Sequence, residues 1–341
     1  MHRQVPSPHA PCASAETFAP AWWLPGPHLQ TVGARWSRAR GRVRLRRERV
    51  TTPDGDFLDL DWVVDRHGGT ASSGPHRAVV VVLHGLEGSA RSGYALEAYR
   101  QLSARRIEAV GLNFRSCSGE LNRGQRLYHS GETEDLRFVV RLLRARFPSA
   151  PIGALGFSLG GNVLLKYLGE EGEQGEVRAA AAVSVPYDLA AGAAHMERGL
   201  ARVYVWRLLR SLQRKVRARA QDLGDRVDVP RALRARTFWE FDDAATAPLH
   251  GFRDADDYYA RSSSAGFLAR VTVPTLLIHA DDDPFLPAAA IPRSSVDANP
   301  CLAGVFTRWG GHVGFVAGSP WSRCYWAESR GAQFLAGQLT D

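Results

Sequence analysis

Residues 151–168, Pro-Ile-Gly-Ala-Leu-Gly-Phe-Ser-Leu-Gly-Gly-Asn-Val-Leu-Leu-Lys-Tyr-Leu, join a short apolar run to a helical one across Gly156-Phe157-Ser158-Leu159-Gly160. The pattern is G-x-S-x-G. A serine at so sharp a strand-to-helix turn takes a strained backbone conformation, and the flanking glycines let helix and strand approach closely. Ile152 to Phe157 suits a buried strand, and Leu159, Val163, Leu164, Tyr167 and Leu168 recur at helical spacing. The motif therefore has the context it requires. Ser158 would be pushed into the open at the N-terminus of a helix, where unpaired N–H groups favour developing negative charge.

Outward from this stretch the chain alternates strand and helix. Ala78 to Leu83 is apolar on both faces, as a central parallel strand should be, and ends in His84-Gly85-Leu86-Glu87-Gly88-Ser89. A helix near 92–105, a strand Ile107 to Phe114 and a helix ending near Phe147 follow, and Arg178 to Val185 supplies the strand after the turn. This rhythm predicts a mostly parallel, doubly wound α/β sheet. Two strands at 43–50 and 57–64 flank Asp54-Gly55, a hairpin signal, with Arg46, Arg47 and Arg49 on the solvated face of the first. Trp22 and Trp23 are expected to cover an apolar patch of the body.

The rhythm breaks over 187–265, which reads as a helical lid inserted in the core. The organisation expected is a disordered tail at 1–18, a first core part at 19–186, the lid at 187–265 and a second core part at 266–341. In the lid, a helix near 196–220 sets Leu200, Val203, Tyr204, Leu208, Leu212 and Val216 opposite Arg202, Arg207, Arg210, Arg214, Lys215 and Arg217. A basic amphipathic helix can lie on an anionic membrane; the plainer reading packs it on the body with its arginines in solvent.

The sheet resumes at Val273 to His279, before Ala280-Asp281-Asp282-Asp283-Pro284-Phe285, and again at Gly304 to Trp309, before Gly310-Gly311-His312-Val313-Gly314-Phe315. A last helix is expected at 321–338. A serine hydroxyl becomes a useful nucleophile when a base takes its proton and an acid orients that base. Ser158, Asp283 and His312 stand in the order Ser–acid–His, each just after a strand, as in α/β-hydrolases. Asp282 is the alternative acid. The N–H groups of Leu86 and Leu159 are placed to form an oxyanion hole. His84 reads as structural and Cys117 as a packing cysteine, while His129 has no role assigned.

Composition narrows the partners. Of 43 basic residues only Lys166 and Lys215 are lysines, and the net charge is +8. An arginine bias of this kind reflects coding composition, and with no recognisable nucleic-acid motif no nucleic-acid partner is expected. Cys12, Cys117, Cys301 and Cys324 are scattered without metal spacing and read as free thiols in a reducing compartment. No apolar run suits a signal peptide or a membrane span, so the expected location is the cytoplasm. Neither metal nor organic cofactor is called for, and oligomeric state is not legible.

With these residues in view, the chain resembles the YheT-like family of α/β-hydrolases, predicted serine esterases with eukaryotic relatives among membrane-associated lipid hydrolases. The resemblance runs from Trp22 to the C-terminal helix. Beyond the elbow it rests on Pro20-Ala21-Trp22-Trp23-Leu24, Pro27-His28-Leu29-Gln30-Thr31, the 84–89 loop, Cys117-Ser118-Gly119-Glu120, Tyr128-His129-Ser130-Gly131-Glu132-Thr133, Asp282-Asp283-Pro284-Phe285 and Gly311-His312-Val313-Gly314-Phe315. It implies the same three catalytic residues and hydrolysis of short- or medium-chain acyl esters or lipids. Acyl transfer through the same acyl-enzyme and a non-catalytic acyl-binding module are the competing readings.

Overall fold

The computed structural model describes residues 17–38, 43–64 and 77–340. Eight strands form one sheet in the order β1-β2-β4-β3-β5-β6-β7-β8: β1 (Arg44–Thr51), β2 (Phe57–Val64), β3 (Val79–Leu83), β4 (Glu108–Asn113), β5 (Ile152–Phe157), β6 (Val177–Val183), β7 (Thr275–Ala280) and β8 (Leu302–Thr307). β1 pairs with β2 and β2 with β4 antiparallel; every later pairing is parallel. The hairpin and the α/β sheet read from the sequence are therefore present. All five residues of β3 and all six of β5 are buried, because helices cover both faces. On one face α3 (Glu134–Arg146) and α4 (Leu159–Glu171) pack Leu136, Val139, Val163 and Tyr167 against the strands. On the other, α2 (Gly93–Ala104) and the C-terminal helix Trp326–Leu339 contribute Tyr99, Leu102, Leu335 and Leu339.

β1 lies at the sheet edge, and its arginines are not simply solvated. Arg47 and Arg49 each make two hydrogen bonds to the buried carboxylates of Asp61 and Asp59, their register partners on β2. Fork-to-fork pairing of this kind neutralises charges that burial would penalise.

After β3 the chain crosses to β4 on one side, then returns to β5 on the other, so the loops leaving β3 and β5 face each other across the switch point of the sheet. Leu83 and Gly156 are partners in register. The loops after β5, β7 and β8 open on the same edge.

Between β6 and β7 the chain forms helices, chiefly α5 (Leu189–Met196) and α6 (Ala201–Ala218), with an apolar cluster of its own that includes Val205, Leu209, Phe238, Phe241 and Tyr258. The helix expected at 196–220 starts later, because α5 ends at Met196 and Gly199 takes a positive φ of 53° before α6 begins. The expected stripe is also rotated. Val205, Leu209 and Val216 point inward and Tyr204, Leu208 and Leu212 are half-buried, but Leu200 and Val203 stand 66% and 61% exposed beside Trp206. Lys215, expected among the solvated bases, is turned inward.

Two further expectations, at Trp22 and at Cys324, need correction, and one helix was not anticipated. Residues 27–37 form a helix, α1 (Pro27–Ser37), with proline at its start, where a missing N–H costs nothing. Trp23 packs beside Ala21, Leu24, Val316 and Tyr325 and donates Nε1–H to the Gly318 carbonyl, whereas Trp22 is 73% exposed. The 1–18 tail lies outside the described residues except for Thr17 and Phe18, and Phe18 packs against Phe315 and Trp326. Cys117 and Cys301 are free thiols, but Cys324 is disulfide-bonded. Pairing depends on approach in space, which cysteine spacing along this chain does not reveal. Among the described residues no helix is long and apolar enough to cross a membrane.

Candidate active site

Ser158 stands between the end of β5 and the start of α4 with φ 52° and ψ −122°, the strained turn that its sequence context requires. Both motif glycines are needed for closeness. A Cβ on Gly156 would lie 2.6 Å from the Gly160 carbonyl oxygen, and one on Gly160 would lie 2.6 Å from that of His84.

His312, on the loop after β8, brings Nε2 to 2.9 Å from Ser158 Oγ and Nδ1 to 2.8 Å and 3.1 Å from the Asp283 carboxylate oxygens. Three residues separated by up to 154 positions thus form one hydrogen-bonded row. With Nδ1–H donating to Asp283, Nε2 is left to accept from the serine hydroxyl. Burial pushes the Asp283 carboxyl up, but His312 beside it, His279 and the Phe285 N–H outweigh that and hold it below the usual carboxylate range. Asp282 plays another part: its carboxylate accepts the Gly311 N–H at 2.8 Å and so ties the β7 loop to the histidine loop. Burial raises its pKa. Between the two aspartates, the geometry puts Asp283 beside the imidazole.

Leu159 opens α4, so its N–H is one of those that a helix leaves unpaired. Among the described residues no acceptor meets the N–H of Leu159 or of Leu86. The 84–88 loop is pinned around Leu86: Gly85 N–H donates to Tyr94 Oη at 2.9 Å and Glu87 N–H to Tyr128 Oη at 2.8 Å. His84 is structural, as expected. It is buried, donates Nδ1–H to the Gly85 carbonyl, accepts the Phe114 N–H on Nε2, and burial lowers its pKa to about 4. His129 is also buried, with its ring on His250 and Nδ1 accepting the Gly131 N–H, and burial keeps its pKa well down. Burial raises the Cys117 thiol to about 11, which keeps it protonated.

Several groups that hold the site went unread in the sequence. Thr31 on α1 donates to the Pro27 carbonyl and accepts the His312 N–H at 2.9 Å; Gln30, fully enclosed, bonds both to the Leu24 carbonyl and to the N–H and carbonyl of Val316. Arg38 donates to the Val313 and Gly314 carbonyls and pairs with buried Glu328. The signal was present in Pro27-His28-Leu29-Gln30-Thr31, where two uncharged polar residues follow a helix-starting proline. Phe285 lies flat on the His312 ring, with centroids 3.9 Å apart, and His279 sits behind Asp283 at 3.6 Å.

The serine opens into a cleft of about 740 Å³. Met196, Phe238, Phe241 and Leu208 give its lining apolar surface, while Arg35 and Arg91 add charged groups. Such a shape takes a substrate with an oily part and a polar part. The arrangement can activate a serine hydroxyl, orient the base that activates it, and present two N–H groups to a developing oxyanion.

The family model described as "Serine aminopeptidase, S33" (Hydrolase_4) matches residues 74–298. The protein named "Putative esterase YheT" of Escherichia coli strain K12 is 40% identical over 96% of this chain and 95% of its own length. Phospholipase ABHD3 of Mus musculus is 32% identical over 96% of this chain and 80% of its own length. Among solved structures, the Pyrococcus furiosus esterase Pf2001 superposes with a TM-score of 0.57 at 19% identity, over 89% of this chain and 97% of that one, a likeness of fold. Taken with the sheet order and the elbow, these matches mean that the chain belongs to the YheT family of α/β-hydrolases.

Proposed function

We propose that this carboxylic ester hydrolase works through an acyl-enzyme on Ser158. The observation that carries the reading is the unbroken row from Ser158 Oγ through His312 to Asp283, opening directly into the cleft. His312 Nε2 takes the hydroxyl proton as Ser158 Oγ attacks the ester carbonyl carbon. The oxyanion is held by the N–H groups of Leu86 and Leu159, and ionised Asp283 stabilises the imidazolium. The leaving alcohol takes the proton from Nε2. Water, deprotonated by the same nitrogen, then attacks the acyl carbonyl and releases the acid and the free serine.

The apolar lining of the cleft suits an acyl chain, and the phospholipase name of a 32%-identical relative supports a lipid ester as the substrate class. The span 187–265 serves as a lid over that chain, with Met196, Leu208, Phe238 and Phe241 facing the cleft. A lipid surface would meet the mouth on exposed Leu29 and Trp36 of α1, Leu200 just before α6, and Val203 and Trp206 of α6; His28 and Tyr204 join the two helices at 3.2 Å. Exposed Arg202, Arg207 and Arg210 beside them favour anionic headgroups. Co-sedimentation with phosphatidylglycerol vesicles at low salt is expected, and to weaken in Trp206→Asp; protein left wholly in the supernatant would end the surface reading.

The acyl-enzyme is tested with a fluorophosphonate probe. Labelling of the wild type and none of folded Ser158→Ala is expected; equal labelling of both would overturn the assignment.

A further inference from the structure

The loop that carries the Leu86 N–H is gripped from two directions, and one grip comes from the inserted segment. Glu87, the next residue, holds a positive φ of 53°, a conformation that non-glycine residues adopt only when their surroundings impose it. Tyr128 encloses it. The phenol oxygen accepts the Glu87 N–H at 2.8 Å while its own O–H donates to Glu87 Oε1 at 2.7 Å. The Tyr128 ring is itself fixed, stacked on Phe114 with centroids 5.5 Å apart.

The second grip is Lys215 on α6. Its ammonium lies 2.6 Å from Glu87 Oε1, 3.3 Å from Cys117 Sγ and 5.1 Å from the centre of the Tyr128 ring. Both charged side chains are largely withdrawn from water, at 15% and 6% exposure, so removing one partner alone leaves a buried charge uncompensated and is costly. The residue type fits the place. In a chain with 41 arginines, this niche between a thiol, an aromatic face and one carboxylate oxygen holds a lysine, whose compact ammonium meets a single oxygen where a guanidinium fork is shaped for two.

Resting on the acyl-enzyme reading above, we propose that Lys215 and Glu87 are positioning residues for the oxyanion hole: their ion pair ties α6 to the 84–88 loop and so sets the aim of the Leu86 N–H. Neither side chain touches the reacting atoms. The consequence is a coupling between the inserted helix and the chemistry. If α6 moves away, the loop loses its charged anchor and the hole loses one aligned donor.

The test compares wild type, Lys215→Met, Glu87→Gln and the double variant on p-nitrophenyl acetate, a substrate too small to depend on the apolar lining of the cleft. Turnover is normalised to active sites titrated by the p-nitrophenol burst, and thermal midpoints are recorded. Outright loss of an oxyanion donor costs on the order of 10²–10³ in turnover, so misaiming one should lower kcat by roughly 10-fold or more in Lys215→Met, with KM within about twofold. An aryl trifluoromethyl ketone, whose adduct places an oxyanion in the hole, should weaken by the same factor. The double variant should do no worse than Lys215→Met, because it leaves no unpaired buried carboxylate. Unchanged kcat per titrated site, or a loss fully explained by fewer folded molecules, overturns the proposal. Its failure is distinct from that of the acyl-enzyme reading: a wild type with no burst and no labelled serine sinks the latter, whereas a normal burst with an indifferent Lys215→Met sinks only the former.

Discussion

The carboxyl edge of the sheet and the span between β6 and β7 are built on opposite plans. At the edge, Ser158, Asp283 and His312 sit on short loops whose backbone and side chains are hydrogen-bonded one to another, with Thr31, Asp282 and Ser184 each holding an N–H of the histidine loop. The span from Ser184 to Pro274 is instead a set of helices around its own apolar cluster, with large apolar side chains left in solvent. The first plan sets Ser158, His312 and Asp283 at hydrogen-bond distance from one another, as proton transfer demands. The second shapes a wall, and a wall can be rebuilt without disturbing the proton path. Apart from the Lys215–Glu87 link, the separation implies that reaction and selectivity can be damaged independently.

The sharpest way to break that division is at the acid. Asp283→Asn keeps the shape and removes the charge that the imidazolium needs, so a loss of about 10⁴-fold in kcat is expected, as for triads generally. Asp282→Asn keeps an acceptor for the Gly311 N–H and should cost less than about 10-fold. Steady-state kinetics on one soluble ester decides between them. Similar losses in both would mean that the edge works as a single scaffold with no distinct acid.

The inserted span carries its own titration. Asp242 lies in a single π-helical turn, where burial lifts its pKa to about 6 despite hydrogen bonds from Thr246 and Tyr259. Because the folded state holds this proton more tightly than the unfolded chain, the contribution of Asp242 to stability is full below the unfolded carboxylate pKa and is lost as pH rises through about 6. The fall is on the order of 3 kcal/mol. Denaturant unfolding at several pH values should show it in wild type and not in Asp242→Asn. An identical pH dependence in both would remove Asp242 from the account.

A smaller effect is expected at the wall itself. Met196→Trp fills part of the apolar lining of the cleft, so esters with long acyl chains should lose roughly 10–100-fold in kcat/KM while acetate is nearly unaffected. Parallel loss across a p-nitrophenyl ester series would show that the wall and the proton path are coupled more widely than through Lys215.

The difference between the two regions also explains what could be read from the sequence. The edge was legible because its chemistry follows strand ends: G-x-S-x-G, Asp-Asp-Asp-Pro and Gly-Gly-His each interrupt an apolar run, and strand runs are fixed by burial on both faces. The loop from β3 was legible for the same reason, since a parallel sheet must place it beside the elbow. The rotation of α6 was not, because its bases and apolar residues are nearly interchangeable around the helix until the partner cluster is known. Val205 and Leu209 win the inward face over Leu200 and Val203 through contacts with residues far along the chain. Lys215 was placed among solvated bases for that reason. Helix α1 was hidden by brevity, and its grip on His312 runs through Thr31, across 281 positions.

The central claim is a covalent intermediate on Ser158. The most direct test is to quench the protein within the burst phase of a slow p-nitrophenyl ester and map the acyl mass by peptide analysis. The account predicts an acyl group on the peptide containing Ser158, formed at the burst rate and lost at the steady-state rate. Turnover that proceeds with no acylated serine, or that persists in Ser158→Ala, would contradict it.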